Sequence, residues 1–279
     1  MPVKLLAMDI DGTLLDSHWK IPEANRAAIT EAARRGIEVV LVTGRRFDFA
    51  RPVAEQLDCD LLLIVNNGAL IKSLDGVTHL RHLLPRATAK MVLEAAREYR
   101  SGAAIIFDRP KERQVILESI DWNDPSRQQY FERNKEYIAQ VSPLEACLDV
   151  EDPIQVMFTG PFEHVRGAFR LLQELPAADR YSLAITEYEA KNFSILDVIS
   201  RNCSKGTTLE EWARRRGIAR DEVMAVGDNW NDHEMLEFAG LPVVMGNSVP
   251  ELKLRGWPVT LTNDEAGLAA AIRTYAFRE

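Results

Sequence analysis

The sequence predicts an α/β protein in two parts: a Rossmann-like parallel sheet with crossover helices, interrupted by an inserted α+β domain. Three observations predict it. Apolar, β-rich runs alternate with helical patterns over roughly the first 65 residues, the same alternation returns after Lys205, and the stretch between, about 83–187, sets paired strands among helices instead. A chain of 279 residues with 46% hydrophobic content can fill two cores of ordinary size. The expected division is 1–82 with 188–279 for the parent sheet and 83–187 for the inserted domain.

The elements follow in order. Strand 3–8 is apolar until Asp9 breaks it. Helix 22–35 opens on Pro22, which suits a first turn, and closes at Gly36, which suits a C-terminal cap. Strand 37–42 is apolar apart from Glu38, as a strand buried on both faces should be. Helix 47–57 and strand 61–65 come next, and the turn signals Asn67-Gly68 and Asp75-Gly76 make 66–80 a hairpin at the exit from the first block. In the inserted part, helices are expected near 86–100, 126–139 and 162–174, with strands near 103–107, 113–118, 154–159 and 181–186. The last block is a helix from Lys205 to near Gly217, strand 222–226, helix 230–238, strand 241–245 and a final helix over 264–275. Arg214, Arg215 and Arg216 fall at a helix end, where positive charge offsets the helix dipole.

Composition excludes several classes. The formal charge is −8, from 34 basic and 42 acidic residues, and the arginine triplet is the one short basic run, which argues against nucleic acid as a partner. Charges interrupt every hydrophobic run before the roughly 20 residues a membrane-spanning helix needs. The first apolar run leaves no room for a signal-peptide core, so a cytoplasmic protein is expected. Cys59, Cys147 and Cys203 are scattered, without the spacing of a zinc site or disulfide framework. The five histidines likewise show no metal-ligand spacing.

The chemistry lies where strands stop. Asp9-Ile10-Asp11-Gly12-Thr13 puts two carboxylates two residues apart at the end of the first strand, so both can look into one site. Open α/β sheets bind ligands outside the carboxyl ends of their strands, although two aspartates in a turn can also be simple turn makers. The second strand ends Val42-Thr43-Gly44-Arg45, bringing a hydroxyl and backbone N–H groups suited to phosphate oxygens to the same edge. Ser204-Lys205-Gly206 opens a helix and supplies a point charge for a phosphate or a carboxylate. Strand 222–226 leads into Gly227-Asp228-Asn229-Trp230-Asn231-Asp232, where an N-cap accounts for one acid but not for acids at two strand ends. If Asp9, Asp11, Asp228 and Asp232 meet, their repulsion requires a cation, and an all-oxygen site that meets a phosphate describes bound Mg²⁺.

This ordered set of four motifs resembles the haloacid dehalogenase superfamily, and the insertion after the third strand resembles its Cof-type branch with a C2 (type IIB) cap. Asn67-Gly68-Ala69, Met245-Gly246-Asn247 and Asn263 to Gly267 extend the resemblance over the core. It implies a phosphatase in which Asp9 attacks phosphorus to form an aspartyl phosphate and Asp11 serves as acid, then base. It implies that Thr43, the Gly44 N–H, Lys205 and Asn231 hold the phosphoryl group. Mg²⁺ would be held by Asp9, Asp228 and the Asp11 backbone carbonyl, with Asp232 supporting the metal or Lys205. Two departures stand out: Asn202 replaces a glycine, and Ala266 an acid.

The expected substrate is a small phosphorylated metabolite, a sugar phosphate or cofactor phosphate, and the expected assembly a monomer or small homo-oligomer. A phosphomutase and a silent phospholigand-binding protein are the alternatives. Arg45 and Arg46 either meet substrate or pair with acids. Trp122, in the loop Trp122-Asn123-Asp124-Pro125, either stacks on substrate or packs beneath its loop.

Overall fold

A computed structural model describes residues 2–120, 122, 128–188 and 192–277. The chain divides into one unit of Met1–Arg81 with Ser204–Glu279 and a second of His82–Cys203.

The first unit opens with β1 (Leu5–Met8), α1 (Glu23–Arg34), β2 (Glu38–Val42), α2 (Phe47–Ala54), β3 (Leu61–Val65), β4 (Leu70–Ser73) and β5 (Thr78–Arg81). The second unit contains α3 (Arg86–Ala95), β6 (Ala103–Ile106), β7 (Val115–Leu117), α4 (Gln128–Asn134), β8 (Ile138–Gln140), β9 (Gln155–Gly160), α5 (Phe162–Gln173), β10 (Tyr181–Tyr188) and β11 (Phe193–Ser200). The chain then completes the first unit with α6 (Lys205–Arg216), β12 (Val223–Gly227), α7 (His233–Phe238), β13 (Leu241–Val244), α8 (Pro250–Lys253) and α9 (Gly267–Ala271).

Seven strands of the first unit form one sheet in the order β13-β12-β1-β2-β3-β4-β5. The five from β13 to β3 are parallel, and the hairpin of β4 and β5 adds the antiparallel edge. Every residue of β1 is buried, as its unbroken apolar run requires of a central strand, and burying each such leucine contributes about 1.5–3 kcal/mol. The chain runs from β1 outward to β2 and β3, then returns on the other side of β1 with β12 and β13. The order therefore reverses between β1 and β12, which is where a doubly wound sheet opens a crevice at its strand ends.

The second unit has a six-stranded sheet, β10-β11-β9-β6-β7-β8. Val92, Leu93, Val165 and Leu172 of its helices form a core with Ile105, Val156, Phe158, Leu196 and Val198 of the strands. Two features differ from the sequence expectation. Residues 193–200, assigned to the parent unit by the expected return at 188, form β11 between β10 and β9 of the second unit, and the return comes at Ser204. Residues 138–140, expected to end a helix, form β8 and pair in parallel with β7. In both cases pairing with strands distant in sequence outweighs local pattern.

Trp122 is exposed, and its ring lies 5.8 Å from that of Phe131, whereas 123–125 lie outside the described residues. The arginine triplet ends α6 before Gly217, with Arg215 paired to Glu211 and Arg216 to Glu38. Asn202 adopts a φ of 55°, a left-handed turn that asparagine tolerates in place of glycine.

Candidate active site

Asp9 follows β1 and Asp228 follows β12, so the two acids leave adjacent parallel strands side by side at the reversal of strand order. Lys205 reaches them from the first turn of α6. A capping box fixes that turn: the Ser204 hydroxyl accepts from the Thr207 N–H at 3.1 Å, and the Ser204 N–H donates to Thr207 Oγ1 at 2.9 Å. A cation at a helix N-terminus opposes the helix dipole, so local helix chemistry does not explain this lysine. Its partners do. Lys205 Nζ, on a residue only 2% exposed, donates at 2.6 Å to Asp9 Oδ1 and at 2.6 Å to Asp232 Oδ1.

Asp232 is fully buried, and its second oxygen accepts from the backbone N–H groups of Asp228 at 3.0 Å and Asn229 at 3.1 Å. It thereby orients both the lysine and the loop that carries Asp228. Space for this loop depends on glycine at two positions. A Cβ on Gly12, whose φ is +80°, would lie 2.3 Å from Asp228 Oδ2, and one on Gly227 would lie 2.6 Å from the Asp232 Cβ.

Carboxylate oxygens of Asp9, Asp228 and Asp232 all lie within 4.8 Å of one another, an arrangement that could hold a metal ion. Three carboxylates against the single Lys205 ammonium leave two negative charges in a buried place. The donors are hard oxygens, so the residual charge and ligand type both fit a divalent cation such as Mg²⁺. With both Asp232 oxygens engaged elsewhere, Asp9 and Asp228 are the carboxylates suited to direct ligation. Burial pushes the Asp9 carboxyl up to about 7, against the pull of Lys205, and pushes Asp228 up to about 9, with Asp232 adding repulsion. Burial acts to lower the Lys205 ammonium, but Asp232 and Asp9 together hold it above its ordinary value.

Asp11 takes a different position. Strand geometry ends at Met8, and 10–14 form a tight turn with Asp11 extended and Gly12 left-handed, so alternation along a strand no longer directs the side chain. The Asp11 carboxylate accepts from Arg45 Nε at 2.8 Å and Nη2 at 2.5 Å in a bidentate pair. Of the two readings open for Arg45, pairing with an acid is observed, and the acid is Asp11. Arg46 lies with its guanidinium 4.9 Å from the Phe49 ring centre.

Thr43 is buried at the end of β2, its hydroxyl accepting from the Arg45 N–H at 3.1 Å. A Cβ on Gly44 would come within 3.0 Å of Asn67 Oδ1, and that same oxygen accepts from Asn231 Nδ2 at 3.4 Å. Thr43, Gly44 and Asn231 are thus brought to one rim by Asn67, a buried residue that the motif spacing does not assign to the site. Three consecutive positive φ angles at Asn66, Asn67 and Gly68 turn it inward, and Asn-Asn-Gly is the sequence signal for such a turn. Asn247 is a further support, donating to the Gly12 carbonyl at 2.8 Å and accepting from the Asn263 N–H at 2.9 Å. Ala266, where an acid was expected, takes a left-handed turn ahead of α9.

A doubly wound sheet thus carries a lysine bridging two aspartates at its strand reversal, and comparison with known proteins gives the class. Residues 6–272 match the haloacid dehalogenase-like hydrolase family, and the chain belongs to it. It is 30% identical to phosphatase YwpJ of Bacillus subtilis over 96% of this chain and 98% of the relative. It is 29% identical to the 5-amino-6-(5-phospho-D-ribitylamino)uracil phosphatase YcsE of the same organism, over 97% and 95%. A solved haloacid dehalogenase-like hydrolase from B. subtilis, 25% identical, superposes with a TM-score of 0.81 over 98% of this chain and all of the other. The chain is a Cof-type hydrolase of the phosphatase class.

Proposed function

We propose that the chain hydrolyses small phosphate monoesters in two Mg²⁺-dependent steps, with Asp9 as nucleophile. The observation that carries this reading is the buried contact of 2.6 Å between Lys205 Nζ and Asp9 Oδ1, which draws one carboxylate toward its ionised form against the effect of burial and fixes it at a strand end. Asp9 forms a bond to phosphorus as the bond to the leaving oxygen breaks, and the aspartyl phosphate divides one difficult displacement into two. Asp11 protonates the leaving oxygen and then takes a proton from the water that attacks phosphorus as the bond from phosphorus to the Asp9 oxygen breaks, releasing inorganic phosphate and restoring Asp9. Protonating one Asp11 oxygen removes one of its two Arg45 bonds, so Arg45 steadies the group while its charge alternates.

Lys205 offsets charge on Asp9 and on the transferring group, and the Thr43 hydroxyl, Gly44 N–H and Asn231 amide hold phosphoryl oxygens. Asp9, Asp228 and the Asp11 backbone carbonyl would hold Mg²⁺, which would neutralise phosphate charge when bound. Asp232 positions Lys205 and the Asp228 loop. The second unit takes the role of a cap that selects substrate, and the working environment is the cytoplasm, with a small metabolite rather than nucleic acid or membrane as partner. The charge balance of −8 supports the last point.

The test is release of inorganic phosphate from a panel of phosphorylated metabolites, with Mg²⁺ or with chelator, for the parent and Asp9→Asn. Turnover that needs the metal and vanishes in the variant supports the mechanism. Release that requires a sugar bisphosphate points to a mutase, and no release from any compound points to a silent binding protein.

A further inference from the structure

The loop 16–20 carries a side chain that the proposed mechanism leaves unused. Trp19 is 61% exposed, although tryptophan is ordinarily among the more buried residues. Its φ is +61°, a left-handed conformation that costs an L-residue about 1–2 kcal/mol and that glycine or asparagine would adopt more cheaply. The turn is firmly built. Asp16 accepts through its carboxylate from the His18 and Lys20 N–H groups, both at 2.9 Å, and Asp16 and Lys20 are joined across the turn by a backbone bond of 2.9 Å. The Trp19 N–H donates to the Asp16 carbonyl at 3.0 Å, and the Ser17 N–H donates to Asp264 at 2.8 Å. A rigid loop thus holds an indole in water at the cost of backbone strain, and strain of this kind gathers at ligand clamps.

Its location supplies the second observation. The Arg45 guanidinium lies 5.7 Å from the Trp19 ring centre, and the same guanidinium holds both oxygens of Asp11. Trp19 is therefore one guanidinium away from the group that, in the reading above, protonates the leaving oxygen. A leaving oxygen within hydrogen-bond reach of Asp11 carries its carbon skeleton alongside Arg45 and toward the indole. We propose that Trp19 is a specificity-determining residue of the first unit: its ring stacks on the leaving group and favours phosphate monoesters whose organic part presents a flat aromatic or heteroaromatic face. Arg45 faces the ring and at the same time holds Asp11, which couples the shape of the leaving group to the placement of the acid.

The inference rests on the phosphatase reading, and two measurements separate their failures. In the first, kcat/KM for phenyl phosphate and for glycerol 3-phosphate is compared in the parent, Trp19→Asn and Trp19→Phe. Asparagine relieves the backbone strain, so the melting temperature should hold or rise. The phenyl-to-glycerol ratio should fall about three- to tenfold in Trp19→Asn, mainly through KM, and recover in Trp19→Phe, in keeping with the usual strength of ring stacking. In the second, phenyl phosphate and glycerol 3-phosphate are titrated calorimetrically into Asp9→Asn with and without Trp19→Asn, which needs no turnover. A selective loss of phenyl phosphate affinity supports stacking even if no ester is hydrolysed by the parent. An unchanged ratio in both measurements, or an equal loss for both ligands, overturns the proposal.

Discussion

In each unit of this molecule a largely or partly buried cation lies between two carboxylates, Lys205 in the first and Arg100 in the second, and the two clusters behave oppositely. In the first unit, Lys205 joins Asp9 and Asp232 with all three side chains almost completely buried. In the second, Arg100 joins Glu118 and Glu145, donating at 2.6 Å to each oxygen of Glu145, but each side chain keeps about a quarter of its surface in water. Hydrogen bonds from Arg100 hold both glutamates below their usual range and raise the guanidinium in turn. Burial in the first cluster instead raises Asp9, and one lysine is too little charge for three acids. The difference teaches that counting ion pairs does not locate chemistry. A half-wet triad whose single surplus charge faces water is structural, whereas a drier cluster of three acids against one lysine favours a further cation and so marks the site.

The largest effect is expected from Lys205→Met. It leaves Asp9 and Asp232 buried without their cation, so stability should fall by about 3–5 kcal/mol and phosphate release per folded molecule by at least about a hundredfold. Denaturant melts with parallel phosphate assays read both. A variant as active as the parent would end the distinction between the clusters.

The next contrast is in pH. Asp9 and Asp228 have folded values raised from 3.8 to about 7 and about 9, so without metal their contribution to stability is present below pH 3.8 and is lost as pH rises through 7 and then 9. Glu118 and Glu145 have depressed folded values, so their contribution is present above 4.5 and is lost as pH falls through those depressed values. Thermal melts of metal-stripped protein should therefore decline from pH 5 to pH 9, and saturating Mg²⁺ or Asp228→Asn should flatten the decline. A metal-free melting curve indifferent to pH over that span would contradict the charge surplus.

The smallest effect is expected from Arg100→Met, a loss of about 1 kcal/mol in partly solvated pairs, read by denaturant melts at pH 7. The loss should shrink as pH falls through the depressed glutamate values, and phosphate release per folded molecule should stay at the parent level.

Much of the site was legible beforehand because its residues sit at places that local rules mark. Asp9, Thr43 and Asp228 each follow an apolar run that must be a buried strand, and Lys205 begins a helix whose Ser204 cap is plain in the sequence. The partition between sheets was less legible. The run 193–200 is as apolar as a core strand, and nothing local says whether it pairs with β1 or with β9 and β10.

By itself, then, the sequence determined the alternation of strands and helices and the strand-end positions of the acids, since these follow from neighbours within a few residues. Only the tertiary structure decided that Arg45 takes Asp11, that Asn67 joins Gly44 to Asn231, and that Trp19 stands beside Arg45. Those contacts join residues from 23 to 164 positions apart, and such pairings depend on which chain segments share an edge of the sheet. The same holds for charge: four aspartates and one lysine can be counted in a sequence, but the burial of Asp9, Asp232 and Lys205 beside Asp228, which turns a surplus of carboxylates into a demand for a cation, exists only once the sheet has closed around them.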